Sequence, residues 1–205
     1  MSDGTLGVAP IHIVGAGGLG REVFDALFQN GVTAADVVFA DDHLAAGEVH
    51  GAVVRRLADT VGGSYVVAVA DPAGRRRLRR RMESMGSTPM AVVHPRAVIA
   101  HDVVVWPGCV VLANAFISTG VRLEPHTQVH SNATVGHDTI VHEYTTVLPG
   151  ANLAGNVVLE RDVTVGSNAC VLSGVHVGAG TFIGAGAVAT KTHPAGRLLT
   201  RVPAR

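Results

Sequence analysis

The sequence predicts a chain in two parts, a small α/β unit at residues 1–90 followed by an all-β parallel β-helix at residues 91–205, with an irregular tail after residue 190. Two observations predict this fold. Short apolar runs alternate with helical stretches before about residue 90, and an aliphatic residue recurs at every sixth position after it. The composition agrees, because 25 glycines and only 4% aromatic residues are typical of a regular, turn-rich architecture.

The repeat runs from residue 99 to residue 183 without slip or insertion, which makes fifteen units of six residues. Three positions after the aliphatic residue, thirteen of the fifteen units carry Gly, Asn or Asp, and only His126 and Tyr144 depart from this rule. The aliphatic positions are Ile99, Val105, Val111, Ile117, Leu123, Val129, Val135, Val141, Val147, Leu153, Leu159, Val165, Val171, Val177 and Ile183.

A period of six with one obligatory aliphatic residue matches neither an α-helix nor an alternating strand. It fits short strands joined by tight turns around a triangular coil, with the aliphatic side chains pointing inward. Gly, Asn and Asp suit the corners because they accept left-handed backbone angles. Since three units make one turn, the sequence predicts five stacked coils.

The first part alternates strands and helices, which is typical of a small Rossmann-like βαβ unit with a parallel sheet. A glycine-rich turn at residues 15–20 follows the first strand. With Asp41 after it, such a turn alone would indicate a dinucleotide site, but the unit is short and lacks the second half of a full NAD domain. The expected strands are 11–14, 37–40 and 65–70, and the expected helices are 21–29 and about 73–85.

Charge and hydropathy exclude several classes of function. Lys+Arg and Asp+Glu balance at 16 each, so no net charge favours nucleic acid or an anionic membrane. The basic run at 75–81 is expected to be a solvated helix face. Without a membrane-length apolar run or a leader peptide, we expect a cytoplasmic protein with no membrane insertion. Cys109 and Cys170 lie far apart and no histidines have zinc-ligand spacing, so we expect neither disulfides nor a catalytic metal.

The pair His137 and Asp138 offers acid–base chemistry, because a histidine titrates near neutral pH and a neighbouring carboxylate favours its charged form. Residues eighteen apart stack on adjacent coils, about 4.8 Å apart. Gly155 should therefore lie one coil above His137, with its backbone N–H unobstructed by a side chain. Structural explanations stay open at this point, since Asp is ordinary at a corner, the chain has 11 histidines, and glycine can simply ease a turn.

A β-helix that follows a small α/β unit with a glycine-rich turn resembles the sialic-acid O-acetyltransferase and nucleotide-sugar N-acetyltransferase family of hexapeptide-repeat acyltransferases. The matching stretches are residues 15–23, 39–42, 135–138, 148–157 and 202–205, so the resemblance covers nearly the whole chain. It implies a left-handed β-helix, a homotrimer and acetyl-CoA as cosubstrate. The implied reaction is direct transfer of acetyl to the amino group of a nucleotide-linked amino sugar, in glycan or lipopolysaccharide biosynthesis.

The same resemblance implies roles for single residues of the coil. His137 would be the general base, Asp138 the acid that raises its basicity, and Gly155 the amide that holds the thioester carbonyl.

On the cofactor side, Ser167 and Ala185 lie one coil apart and match positions whose backbone contacts the CoA arm. Thr146 matches a position where some relatives carry a histidine that touches acetyl-CoA, so a contact here would have to come from its hydroxyl or through a water.

The resemblance places the nucleotide sugar at the glycine turn. Gly17, Gly18 and Leu19 would approach the diphosphate or the sugar, and Asp41 and Asp42 would reach the nucleotide base or the ribose. Relatives often carry His where Leu19 stands, so no side-chain role is implied there. The sequence does not distinguish UDP, dTDP and GDP.

Two other functions fit the same residues. An O-acetyltransferase acting on a sugar hydroxyl, such as that of sialic acid, could use the same His–Asp base, since the base serves an alcohol as well as an amine. A non-catalytic scaffold or sugar-nucleotide sensor would keep the coil for trimer assembly and leave His137 idle.

Overall fold

The computed structural model describes residues 10–44 and 46–203. The first part of the chain is a sheet of six strands in the order β3-β4-β2-β1-β5-β6, in which only the β3–β4 pair is antiparallel. Its elements are β1 (Ile11–Val14), α1 (Gly18–Gln29), β2 (Val37–Ala40), β3 (Gly47–Val49), β4 (Ala52–Arg55), β5 (Ser64–Val67), α2 (Pro72–Ser84) and β6 (Thr88–Pro89), with 3-10 turns at Ala34–Asp36 and Leu57–Asp59.

The strands and helices expected before residue 90 lie within a few residues of their predicted bounds, while β3, β4 and β6 were not predicted. The three parallel strands β1, β2 and β5 end at Val14, Ala40 and Val67, which share one edge of the sheet. The turns that follow these strands therefore meet at this edge, where ligands bind in open parallel sheets.

The rest of the chain is a parallel β-solenoid of two-residue strands. Up to residue 189, successive strands fall on three faces in turn, and paired strands lie eighteen residues apart, as Val111 pairs with Val129. The last strand, Leu198–Leu199, pairs instead with residues sixteen positions before it. Face 1 holds seven strands, face 2 six and face 3 five. Face 1 comprises β7 (Val92–Val93), β10 (Val110–Val111), β13 (Gln128–Val129), β16 (Thr146–Val147), β19 (Thr164–Val165), β22 (Phe182–Ile183) and β24 (Leu198–Leu199); face 2 comprises β8 (Val98–Ile99), β11 (Phe116–Ile117), β14 (Thr134–Val135), β17 (Asn152–Leu153), β20 (Cys170–Val171) and β23 (Val188–Ala189); and face 3 comprises β9 (Val104–Val105), β12 (Arg122–Leu123), β15 (Ile140–Val141), β18 (Val158–Leu159) and β21 (His176–Val177).

The predicted count of five coils is not confirmed, because the fifteen repeats account only for β8 to β22. Strands β7, β23 and β24 extend the faces on either side of the repeats. The tail after residue 190 is also not irregular throughout, since Leu198–Leu199 rejoins face 1 by pairing with β22.

The repeated residues occupy the positions that the periodicity assigns them. The aliphatic column from Val111 to Ile183 lies in one continuous core with almost no solvent exposure. Corner residues adopt left-handed backbone angles, as at Asn132 with φ 60° and Asp138 with φ 57°. The two exceptions to the Gly/Asn/Asp rule, His126 and Tyr144, take the same angles at φ 60° and 59°. The coil therefore imposes the left-handed backbone at each corner, even where the corner residue is a large, buried side chain.

The helix α2 joins the two parts of the chain through its arginines. Arg75 is 0% exposed, and its guanidinium donates to the carbonyls of Val69 and Ala70 on one side. On the other side it donates to the carbonyl of Tyr144 and to Oγ1 of Thr146. Burial lowers the pKa of Arg75 to about 10, which still leaves it charged at neutral pH. Opening this contact would be costly, because it would leave a buried cation without the neutral oxygen atoms that accept its hydrogen bonds.

Other arginines of α2 contact the same corner of the coil. Arg76 lies over the ring of Tyr144, 3.9 Å from the ring centroid, and pairs with Asp162 at 2.7 Å. Arg79 donates to the Tyr144 hydroxyl at 2.7 Å. The prediction that the basic run is simply a solvated face is therefore wrong for these residues, because they pack the helix against the solenoid.

Candidate active site

His137 and Asp138 form a hydrogen-bonded pair at the corner between faces 2 and 3. The left-handed backbone at Asp138 turns its carboxylate toward the imidazole, and Oδ2 lies 2.8 Å from Nδ1 of His137. Both side chains are exposed, at 55% and 61% of their surface, so a substrate can reach them. Because the carboxylate accepts the Nδ1 proton, Nε2 is left as the nitrogen that can take a proton from outside.

Gly155 lies one coil above the imidazole, as the eighteen-residue spacing predicts. The amide of Asn156 donates to the carbonyl of His137 at 2.8 Å and fixes this stacking. A Cβ added to Gly155 would collide with the imidazole, with Nε2 as the nearest atom and Cε1 at 2.6 Å. Gly155 does not have a positive φ. Glycine is therefore required here for space beside Nε2, and the turn does not demand it.

The backbone of Gly155 is positioned by Ser173, and the space beside its amide is left open by Gly136; sequence reasoning missed both residues. The Gly155 N–H donates no hydrogen bond within residues 10–44 and 46–203, and the Gly155 carbonyl accepts from the Ser173 hydroxyl at 2.8 Å and the Gly174 amide at 3.0 Å. A Cβ on Gly136 would lie 2.6 Å from the Gly155 nitrogen. The signal that could have revealed Gly136 is its position outside the corner column, where the repeat does not ask for glycine.

Ser167 and Ala185 also lie one coil apart, at the corner between faces 1 and 2. The Gly186 amide donates to the Ser167 carbonyl at 2.9 Å. A Cβ on Gly166 would lie 2.5 Å from the Ala185 nitrogen, so a missing side chain again clears the space around an amide. Within one chain, however, this corner is not the corner of His137, and the structure does not bring the two groups together.

Thr146 lies apart from both corners. It is 0% exposed on face 1, where its hydroxyl donates to the Ala70 carbonyl at 2.9 Å and accepts from Arg75 at 2.9 Å. Because the side chain is fully buried and the hydroxyl proton is donated inside the chain, the hydroxyl is not accessible to a cofactor. We therefore leave Thr146 out of the candidate cofactor site.

The glycine turn leads directly into α1. Gly17 precedes the first helical residue, Gly18, and both are exposed with no atom within 4 Å of an added Cβ. Leu19 instead packs partly buried against the apolar core of the sheet, so its side chain is structural. The exposed end of α1 presents backbone N–H groups that have no acceptor within the helix, which suits an anionic group of a ligand.

Asp41 supports this turn from the next strand end. Its Oδ2 accepts from the Ala16 amide at 2.9 Å, and its Oδ1 accepts from the His43 amide at 2.8 Å. Desolvation raises the pKa of Asp41, but the hydrogen bonds from Ala16, His43 and Leu44 outweigh it and leave the pKa below its ordinary value. The carboxylate is therefore ionised and lies beside the glycine turn. An open cleft of about 560 Å³ borders this turn, and it is lined by Ala16, Gly17, Arg21, Asp41, His43 and His50 among others.

Asp42 points elsewhere, which sequence spacing could not show. Its Oδ1 accepts from the Leu57 amide at 3.0 Å and its Oδ2 from Arg81 at 2.6 Å. Both oxygens are thus engaged by the chain itself. A ligand contact by Asp42 would have to displace one of these partners.

The parts of the chain that the structure describes contain no group of three or more His, Cys, Asp or Glu side chains arranged to hold a metal ion. Over the same residues, neither helix is both long and apolar enough to cross a bilayer.

Comparison with known proteins identifies the architecture. The family model described as bacterial transferase hexapeptide (six repeats) matches residues 156–191. No curated protein sequence matches the chain. Among solved structures, the acetyltransferase domain of PglB from Neisseria gonorrhoeae in complex with acetyl coenzyme A is 29% identical, with a TM-score of 0.90 over 97% of this chain and 99% of that one.

Two further structures agree over similar lengths. A mutant of perosamine N-acetyltransferase from Caulobacter crescentus, in complex with CoA and GDP-perosamine, is 28% identical, with a TM-score of 0.87 over 97% of each chain. WeeI from Acinetobacter baumannii is 26% identical, with a TM-score of 0.90 over 96% of this chain and 98% of that one. These matches confirm the resemblance that the repeats indicate: the chain is an acyltransferase that is similar over nearly its whole length to these acetyltransferases, and residues 156–191 match the hexapeptide transferase model.

Proposed function

We propose that this protein transfers an acetyl group from acetyl-CoA directly to the amino group of a nucleotide-linked amino sugar, with His137 as general base. Residues up to about 90 would bind the sugar nucleotide, and residues 91–205 would carry the transferase site. The observation that carries the proposal is the placement of an exposed imidazole, oriented by Asp138, against the open amide of Gly155.

The chemistry follows from these three groups. The substrate amine attacks the thioester carbonyl carbon, a C–N bond forms, and the amine proton passes to Nε2 of His137. Asp138 holds the Nδ1 proton, so Nε2 is the acceptor, and the carboxylate stabilises the imidazolium that forms. Negative charge that develops on the carbonyl oxygen is stabilised by the Gly155 amide. The C–S bond then breaks, and the CoA thiolate takes a proton, which His137 can return.

The nucleotide sugar would lie at the edge of the sheet where β1 and β2 end. The exposed N-terminus of α1 at Gly17 and Gly18 offers backbone donors for a diphosphate, and ionised Asp41 shapes the same turn. Two compared structures support this substrate class, since their bound ligands are CoA and GDP-perosamine. The nucleotide base and the position of the amine on the sugar stay open.

A homotrimer would complete the cofactor site. His137 and Gly155 lie at one corner of the coil, whereas Ser167 and Ala185 lie at another. Acetyl-CoA lying between adjacent subunits could meet His137 of one copy and the Ser167–Ala185 corner of the next. Sedimentation of the purified chain tests this assembly directly, and a monomer at assay concentrations would contradict it.

O-acetylation of a sugar hydroxyl remains the second candidate, because the same His–Asp pair can take a proton from an alcohol. The deciding experiment measures thiol release from acetyl-CoA with 4-amino and 3-amino nucleotide sugars beside free sialic acid. We expect release only with an amino sugar nucleotide. Release with sialic acid alone would favour the O-acetyltransferase, and the absence of release with any of the acceptors would favour a non-catalytic role.

A further inference from the structure

An open cleft of about 770 Å³ lies between the start of α2 and the part of face 1 that contains strands β19 and β22. On the α2 side it is lined by residues 71–73 and by three arginines, and on the solenoid side by Thr164 and Phe182 among others. Its two carboxylates are already engaged, because Asp71 accepts from the Gly74 amide and Asp162 pairs with an arginine of α2. This volume is large enough for a nucleotide. The cleft shares none of its lining residues with the cleft at the glycine turn.

The arginines in this cleft divide into two kinds. Arg76 is paired with Asp162 and stacked on Tyr144, so its charge is compensated. Arg77 and Arg80 are exposed, and neither forms an ion pair or a side-chain hydrogen bond within residues 10–44 and 46–203. They are three residues apart on α2, where like charges repel each other. Two adjacent, uncompensated guanidinium groups at the mouth of a cleft suit a phosphate group.

The opposite wall of the cleft offers an aromatic surface. Phe182 projects outward from β22 and is 45% exposed, beside Thr164 of the strand one coil below. An exposed aromatic ring is a platform on which a nucleobase can stack. The cleft therefore combines cationic groups for a phosphate with a flat apolar surface for a base.

We propose that this cleft binds a phosphorylated nucleoside, with Arg77 and Arg80 at the phosphate and Phe182 against the base. This assignment rests on the proposed function, because the two substrates of that reaction, acetyl-CoA and the nucleotide sugar, each contain a phosphorylated nucleoside. Phe182 lies three residues before Ala185, about 10 Å along the chain, which favours the nucleotide end of acetyl-CoA.

The test is equilibrium binding by calorimetry, with the full chain and CoA, 3′-dephospho-CoA, UDP, GDP and dTDP as probes. The double variant Arg77→Ala/Arg80→Ala should weaken binding of at least one probe about tenfold or more, because each charge-assisted hydrogen bond contributes that much. A loss for CoA, smaller for 3′-dephospho-CoA, would place the 3′-phosphate in the cleft. A loss for the nucleoside diphosphates alone would place the sugar nucleotide there.

The matched control is Arg56→Ala/Arg122→Ala, which removes two exposed arginines outside the cleft and should change every affinity less than twofold. Phe182→Ala should weaken the same probe that the arginine variant weakens. Unchanged affinities in the Arg77/Arg80 variant, or no binding of any probe by the unaltered chain, would overturn the proposal. Because the readout is binding, it is independent of whether His137 acts as the base.

Discussion

The imidazole of His137 lies directly beneath Gly155 on the next coil, so close that a single added Cβ would collide with Nε2. Two residues eighteen positions apart therefore share one small space, and only glycine leaves that space open. The carboxylate of Asp138, 2.8 Å from Nδ1, holds the imidazole in this place. The candidate site is thus produced by the pitch of the coil together with one missing side chain.

Gly155→Ala should lower the rate of acetyl transfer at least about a hundredfold, the scale for losing an oxyanion donor. The added Cβ would displace the imidazole and cover the amide. Steady-state thiol release measures the effect. The double variant His137→Ala/Gly155→Ala serves as the control, because it removes the imidazole with which the added Cβ collides. This variant should therefore recover the thermal stability that Gly155→Ala loses. A Gly155→Ala enzyme of normal activity would show that the amide is not used.

Asp138→Asn should lower kcat roughly tenfold to a hundredfold with little change in the KM for acetyl-CoA. Asn accepts the left-handed backbone of Asp138, so the corner should survive. The amide cannot stabilise an imidazolium as the carboxylate does. Circular dichroism checks the fold beside the kinetics. Wild-type kcat in the folded variant would remove Asp138 from the mechanism.

Arg75→Ala should destabilise the chain by about 3 kcal/mol, because it leaves buried carbonyl groups without their donor. Urea unfolding measures the loss. Arg77→Ala, two residues further along α2, removes an exposed side chain and should leave the unfolding midpoint unchanged. Equal midpoints for the two variants would mean that the buried contact does not stabilise the docking of α2.

Acid should destabilise the fold through two buried histidines. Burial lowers the pKa of His126 and of His130 to about 4, below the 6.5 of an unfolded histidine. Protonation therefore favours the unfolded state, so the stabilisation is complete above pH 6.5 and is lost as the pH falls toward 4. Each shift corresponds to at most about 3 kcal/mol.

This pH dependence is measured by urea unfolding at about pH 7.5 and pH 5. His130→Leu should flatten the dependence, since the protonation of His130 no longer contributes. His101→Leu, which removes an exposed histidine, should leave the dependence as it is. An equal pH slope in both variants would contradict the assignment to His130.

Much of the solenoid could be predicted because its rules are local. One aliphatic residue in six and a left-handed corner define each strand and turn, and stacking then follows for residues such as His137 and Gly155. The count of five coils is not confirmed because Val92–Val93 adds a strand in register before the first predicted unit, and Leu198–Leu199 pairs with face 1 outside the repeat.

The contacts between the two parts of the chain could not be predicted in this way. Arg75 meets Tyr144 across 69 positions, and nothing in the local pattern of α2 distinguishes it from exposed Arg77. The engagement of Asp42 by Leu57 and Arg81 depends equally on tertiary packing. Thr146 lies buried in the same packing, where a match to relatives suggested a cofactor contact.

The most direct measurement is single-turnover acetyl transfer by His137→Ala with a 4-amino nucleotide sugar, alongside its affinity for acetyl-CoA. The account predicts a loss of at least about a hundredfold in the transfer rate with acetyl-CoA still bound, since only the proton acceptor is removed. Transfer at the rate of the unaltered enzyme would contradict it.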